Sequence, residues 1–343
     1  MKILENIALA RLTTLGIGGP ARWFVEAASE AEIAEACAWA RERGVPLFVL
    51  GGGSNVLVAD AGFDGLVLHV ALKDVELDGE LLRAAAGVPW EHCVQQTTEA
   101  SLAGVECLAG IPGTVGGTPV QNVGAYGQEV ASAIERVRAY DRDAQEFVEF
   151  KNAECGFSYR KSRFNTVDRG RYVVTRVDYR LRRGSEPRLA YGDLQARFAG
   201  WEKAPALAEV AEAVRGIRKS KGMLLVEGDP DCRSAGSFFK NPSVAPEVAE
   251  RVRQIAAGVA VRMFPAEGGM VKIPAAWLIE QAGFSKGYAL GRAGISSKHT
   301  LALVNRGSAT AGQMLALAEK IRSAVEARFG IRLEMEPERV GFK

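Results

Sequence analysis

Leu108-Ala-Gly-Ile-Pro-Gly-Thr-Val-Gly-Gly-Thr-Pro-Val-Gln-Asn-Val-Gly-Ala-Tyr-Gly127 carries six glycines and two prolines in twenty residues, a texture that admits neither a regular helix nor a central strand. About sixty residues earlier stands a shorter run, Gly51-Gly52-Gly53, followed by Ser54 and Asn55. A glycine-rich turn after a strand lets backbone N–H groups approach phosphate oxygens with no Cβ in the way. The first run lies between two apolar stretches, residues 45–50 and 56–58, and so joins strand to strand. A Rossmann fingerprint would open a helix, and a GxxxxGK[ST] phosphate loop is absent. Two readings remain. Both runs are tight turns of an α+β domain, or they are two loops gripping one elongated ligand such as a dinucleotide. The amides of Asn55, Gln121 and Asn122 beside the glycines favour the ligand. Its candidate contacts are Gly51, Gly52, Gly53, Ser54 and Asn55 in the first loop, with Gly113, Gly116, Gly117, Gln121, Asn122 and Gly124 in the second.

Regular elements can be read on either side of these loops. Ser29-Glu30-Ala31-Glu32 has the form of a capping box, and Ile33, Ala36, Cys37 and Ala40 follow at helical spacing until Gly44 and Pro46. Residues 65–70 and 81–86 read as strands, and Pro89 suits the first turn of a helix reaching about Ala100. Residues 135–140 and 146–150 flank Asp141-Arg142-Asp143 as a hairpin. Val173, Thr175, Val177, Tyr179 and Leu181 alternate with Arg176, Asp178 and Arg180 as in a strand. Beyond residue 200, Leu207, Val210, Val214 and Ile217 mark an amphipathic helix, and Met314, Leu317, Ile321 and Val325 another, closed by Gly330. Residues 274–282 read as a short helix and 301–304 as a strand. These changes predict one domain over residues 1–200, itself split near 65–80, and a second over 201–343.

The chain of 343 residues is 48% hydrophobic and 24% charged, as an ordinary folded protein is. Forty-three basic against 41 acidic residues give a net +2, which offers nucleic acid no basic footprint. An anionic ligand must therefore be held by locally placed Arg, Lys and backbone N–H groups. The five cysteines, Cys37, Cys93, Cys107, Cys155 and Cys232, are odd in number and never form a CxxC pair, which fits a reducing compartment. His69, His92 and His299 have no metal-ligand spacing, so no metal is expected. Without a signal-peptide pattern or a run of about 20 apolar residues, the chain is expected in the cytoplasm, not inserted in a membrane.

Several blocks then make a family resemblance specific. Thr14-Leu-Gly-Ile-Gly-Gly-Pro-Ala21, Leu50-Gly-Gly-Gly-Ser-Asn-Val-Leu57 and the run from Ile111 to Gly127 resemble the flavin domain of the UDP-N-acetylenolpyruvoylglucosamine reductase (MurB) family. The likeness continues through Phe157-Ser-Tyr-Arg-Lys-Ser-Arg-Phe164, Tyr191-Gly-Asp-Leu194, Ser234-Ala-Gly-Ser-Phe-Phe-Lys-Asn-Pro242 and Glu336-Pro-Glu338. The blocks occur in the family's order over nearly the whole chain. Residues 223–233 depart from the family's pattern around its phosphate-binding lysine.

The resemblance implies an α+β fold, with an FAD-binding domain of the vanillyl-alcohol-oxidase type, made of two α/β subdomains, and a C-terminal α/β substrate-binding domain. It implies non-covalent FAD, NADPH as co-substrate, a UDP-sugar bearing an enolpyruvyl ether, and a monomer. Arg160, Ser237 and Glu338 are the implied catalytic residues; Tyr159, Tyr191, Lys221 and Asn241 are the implied substrate contacts. An enol ether accepts hydride only when its carboxylate is made an electron sink, the role implied for Arg160 and Glu338. Ser237 is then the implied proton donor. Read alone, each has a plainer explanation: Ser237 a turn residue, Arg160 a surface cation, Glu338 a solvated strand end. Arg218, one helical turn before Lys221, is a further cation for the phosphates or simply a complement to a helix C-terminus. An FAD-linked oxidase on the same domain is the alternative enzyme, and a non-catalytic flavin- or nucleotide-binding regulator the alternative of another class.

Overall fold

A computed structural model describes residues 1–256 and 258–342. The chain divides into two units, each assembled from separated segments. Met1–Ile7, Ala21–Gly53 and Phe63–Ser220 form the first; Ala8–Pro20, Ser54–Gly62 and the chain from Lys221 onward form the second.

In the first unit the Glu30–Glu42 helix starts where Ser29 accepts the Glu32 N–H at 3.2 Å. The Glu32 carboxylate reaches back to the N–H of Ala28 at 2.8 Å, one residue before the position a capping box would use. Ile33, Ala36, Cys37 and Ala40 are buried, as their spacing requires. A four-stranded sheet runs in the order Leu4–Ala8, Pro20–Ala27, Phe63–Val70, Leu47–Leu50, with the last three strands parallel. A second, antiparallel sheet has the order Glu146–Lys151, Ile134–Asp141, Tyr172–Arg180, Leu81–Ala85, Val75–Asp78. In its Tyr172–Arg180 strand Val173, Val177 and Tyr179 are buried, but so are Val174 and Asp178 on the other face. Asp178 is neutralised there by the guanidinium of Arg176 at 2.8 Å.

Within the glycine-rich block one helical turn forms, Gly117–Val120. Pro119 is tolerated because first-turn N–H groups have no intrahelical partner to lose. The Leu207–Ser220 helix, expected with the C-terminal part, belongs to the first unit. Its Val210, Ala211 and Val214 enter the same core as Trp90, Cys93 and Val94 of the Trp90–Glu99 helix, and Arg215 pairs with Glu91 at 2.6 Å.

The second unit has its own core and a sheet ordered Ser234–Ser237, Ala302–Asn305, Ala293–Ile295, Ala289–Leu290, antiparallel throughout. The Ala311–Phe329 helix begins with a complete capping box of Thr310 and Gln313 and ends at Gly330 in the left-handed region. Asp60 adds its carboxylate to the same helix start, accepting the N–H groups of Ala311 and Gly312 at 2.7 and 3.0 Å. Glu338–Val340 pairs in parallel with Val56–Val58, and Asn305 holds the carbonyl of Leu15 at 3.0 Å. These contacts explain why two short N-terminal stretches belong with the C-terminal half.

Candidate active site

The two glycine runs touch. A Cβ on Gly52 would lie 2.6 Å from the Cα of Gly113, so bare backbone on both sides is what lets the loops meet. A Cβ on Gly51 would lie 2.9 Å from Oγ1 of Thr114, a buried hydroxyl with no hydrogen-bond partner among the described residues. Such an atom is costly unless a ligand satisfies it. Gly116 is required by the protein itself, since its Cβ would strike Ala86 at 2.7 Å. At Gly117 the direction a side chain would take is empty: beyond the adjoining residues and the helical turn itself, no atom of the protein lies within 4 Å. A cradle of exposed backbone, an orphaned hydroxyl and one open glycine fit a phosphate-bearing dinucleotide held by Gly51, Gly52, Gly113, Thr114 and Gly117. Asn122 departs from its expected cofactor contact, because both ends of its carboxamide are directed to protein atoms. Gly53 lies in the left-handed region at φ 62° and Gln121 is half-buried.

Arg160 sits at φ 58°, in a two-residue turn closed by reciprocal N–H···O bonds of 3.0 Å between Ser158 and Lys161. A left-handed arginine costs about 1–2 kcal/mol, a strain that gathers at functional positions. Asn165 holds the Arg160 carbonyl at 3.1 Å. A Cβ on Gly124 would come 3.3 Å from Nη1 of Arg160, so the guanidinium lies along the second glycine run. Tyr159 places its ring centroid 5.5 Å from Cζ of Arg160.

Tyr191 immediately precedes the Gly192–Phe198 helix and is 42% exposed. Its ring meets Tyr126 edge-on, with centroids 5.3 Å apart. Tyr126 is buried, which pushes its hydroxyl up to about 12. Arg218 is also buried, and burial lowers its affinity for its proton. Its Nε donates to the carbonyl of Gly110 at 2.9 Å, and its side chain hydrogen-bonds Tyr126. The sequence left Arg218 open between a cation for the phosphates and a complement to a helix C-terminus, and gave Tyr126 no role of its own. Its position between Gly124 and Gly127 of the glycine-rich block was the available signal.

Lys221, Ser237, Asn241 and Glu338, with Ser54 and Asn55, belong to the second unit. Ser237 ends its strand just after Gly236 at φ 69°, and the pairing with Ala302–Asn305 is irregular between Ser234 and Ser237. Such a bulge re-aims a side chain out of the ladder. The next residues pair with the segment leading to Glu338: Glu336 N–H donates to the Phe238 carbonyl at 2.9 Å, and Lys240 N–H to that of Glu334 at 2.9 Å. Asn55 Nδ2 holds the Glu336 carbonyl at 3.3 Å, and its own carbonyl accepts the Glu338 N–H at 2.9 Å. A short ladder thus joins Ser237 to Glu338, whose side chain is exposed. Asn55 serves that ladder. Oδ1 of Asn241 accepts the N–H of Ala275 at 2.9 Å, fixing the start of the Ala275–Gln281 helix. Lys221 is half-buried beside Gly222. No group of acidic, histidine or cysteine side chains fit for a metal occurs among the described residues.

Residues 21–147 match the family pattern of an FAD binding domain, which agrees with the glycine cradle lying in that stretch and just before Gly124. The chain is a flavin-dependent oxidoreductase. Residues 229–340 match the C-terminal domain of UDP-N-acetylenolpyruvoylglucosamine reductase. The reductase of that name from Streptomyces coelicolor is 48% identical, over 98% of this chain and 90% of that one. Its namesake from Thermobifida fusca is 46% identical over 98% of both chains. The crystal structure of the Thermus caldophilus reductase superposes with a TM-score of 0.69 at 28% identity, covering 99% of this chain and 98% of that one. This chain belongs to the UDP-N-acetylenolpyruvoylglucosamine reductase family.

Proposed function

We infer that the protein reduces UDP-N-acetylglucosamine-enolpyruvate to UDP-N-acetylmuramate, a peptidoglycan precursor, with NADPH as reductant and non-covalently held FAD. The observation that carries this reading is the guanidinium of Arg160, held in a left-handed turn against Gly124 of the flavin loop. Bound FAD supplies the two-electron hydride chemistry between NADPH and the terminal methylene carbon of the substrate. Electron density then moves into the substrate carboxylate. The planar fork of Arg160 matches that carboxylate and stabilises the charge as it develops. Glu338 assists in protonated form or through a bound water, since a bare carboxylate would oppose that charge. Ser237 gives the proton to the carbon bearing the ether oxygen, and its Oγ–H bond breaks as the new C–H bond forms. Tyr191 covers the sugar nucleotide, with Tyr126 beneath it; Tyr159, Lys221 and Asn241 contribute further substrate contacts. The protein works as a monomer in the cytoplasm.

The two half-reactions test this in stopped flow. The yellow protein should be bleached by NADPH and, without oxygen, recoloured by the enolpyruvyl sugar nucleotide. Ser237→Ala should keep the bleaching rate and lose recolouring by ~10²–10⁴-fold, as for a missing general acid. Recolouring by oxygen alone would assign an oxidase, and normal recolouring in Ser237→Ala would remove the serine as donor.

A further inference from the structure

We propose that Asn122 is a positioning residue for Arg160, acting through the turn that carries it; the inference rests on the role given to Arg160 above. Asn122 is 1% exposed and itself left-handed at φ 43°. Its Nδ2 donates to the carbonyl of Ser158 at 3.0 Å and to the carboxylate of Glu129 at 2.9 Å, while its Oδ1 accepts the N–H of Ala131 at 3.1 Å. The Ser158 carbonyl also accepts the Lys161 N–H that closes the turn. One oxygen therefore joins the Arg160 turn to the glycine-rich block, and Asn122 supplies the link.

The other contacts of the turn lead back to the same block. Ser162 Oγ donates to the Val120 carbonyl at 2.7 Å at the exit of the turn. A Cβ on Gly124 would meet Cγ of Glu129 at 2.9 Å and Nη1 of Arg160 at 3.3 Å. The second acceptor of the Asn122 amide thus flanks the glycine along which the guanidinium lies. A neutral amide suits this place: it donates twice, to a carboxylate oxygen and to a carbonyl, and accepts once. Aspartate cannot donate, and a longer side chain would displace the turn. A bidentate grip on a carboxylate tolerates only about half an ångström of error, so loosening the Ser158 anchor should be felt in the step Arg160 serves.

Asn122→Gly tests this without backbone strain, because glycine accepts the left-handed conformation. Asn122→Asp keeps the acceptor for Ala131 but loses both donations. Either variant should retain flavin and its reduction by NADPH. Reoxidation by the enolpyruvyl sugar nucleotide should slow by up to about 10²-fold, the cost of misplacing a catalytic group by an ångström. In an Arg160→Lys background the same changes should cost less than about threefold, because the alignment they protect is already gone. Losses that multiply in the double variant would overturn the proposal, as would normal reoxidation in Asn122→Gly. Loss of flavin from Asn122→Gly would assign the amide to the cofactor and overturn it too. If Arg160→Lys alone reoxidises normally, the role of Arg160 falls, and this inference with it. Should the glycine variant not fold, Asn122→Asp carries the same comparison.

Discussion

Gly117 separates the two reasons a glycine can occupy a ligand loop. At Gly53 the backbone is left-handed, φ 62°, so any larger residue is strained whether or not a ligand is present. At Gly52 and Gly116 a Cβ would collide with Gly113 and Ala86. Gly117 meets nothing within 4 Å and lies in a helical turn, where valine is no worse than glycine. Gly117→Val should therefore keep the melting temperature of the flavin-free protein and weaken flavin binding at least tenfold, about 1.4 kcal/mol, so that flavin occupancy falls. Absorbance against protein concentration measures it, and full occupancy would mean the second run does not hold the cofactor. Sequence could nominate all these glycines, since composition marks a loop. It could not rank them, because the ranking depends on Ala86 and Thr114, neighbours from distant or unremarked positions. Asn122 is the same case in reverse: its type suggested a ligand contact, and its partners are Glu129, Ala131 and Ser158.

Among the elements, the hairpin of the five-stranded sheet was legible because Asp141-Arg142-Asp143 separates two strand-like runs. Asp141 does more than break the pattern. Its Oδ1 accepts the N–H groups of Asp143 and Ala144 at 2.9 and 3.2 Å, and Arg171 donates to Oδ2 at 2.6 Å. The Arg171 bond leads, and with those N–H groups it outweighs burial to hold the carboxyl at about 2. The unfolded value is about 3.9, so the native pKa is depressed. The stability linked to this shift is complete above the unfolded value and is lost as pH falls toward the native one. Asp141→Asn should therefore unfold at lower urea than the parent at pH 7, and that gap should narrow between pH 4 and pH 2. A gap unchanged across that window would show that the carboxylate's charge does not matter. Strand faces were less legible than strand positions. Asp178 looked solvent-facing by alternation, but both faces of its strand are covered and Arg176 satisfies it.

At the scale of the molecule, the class of fold was legible from the two glycine runs and the family blocks, whereas the way the segments are shared between units was not. A change of texture near residue 200 suggests a boundary, but the apolar stripe Val210, Ala211 and Val214 completes the core around Trp90 and Cys93. Nor does local pattern reveal that residues 8–20 and 54–62 join the second unit. Their partners, Asn305, Ala311 and Val340, are roughly 250–300 residues away in sequence. These contacts predict that a fragment of residues 1–200 will not fold into a flavin-binding protein. It would expose the core face left by the Leu207–Ser220 helix and remove Glu91's partner Arg215. The Val56–Val58 strand would lose its parallel neighbour, and Asp60 the helix start it caps. Uncovering two or three core side chains alone costs on the order of 1.5–3 kcal/mol each, comparable with the whole margin of a typical domain. The fragment should be insoluble or expanded, without a cooperative melt and without yellow colour. A monomeric 1–200 fragment that melts cooperatively with flavin bound would show that the Leu207–Ser220 helix and the C-terminal contacts are dispensable to the flavin domain.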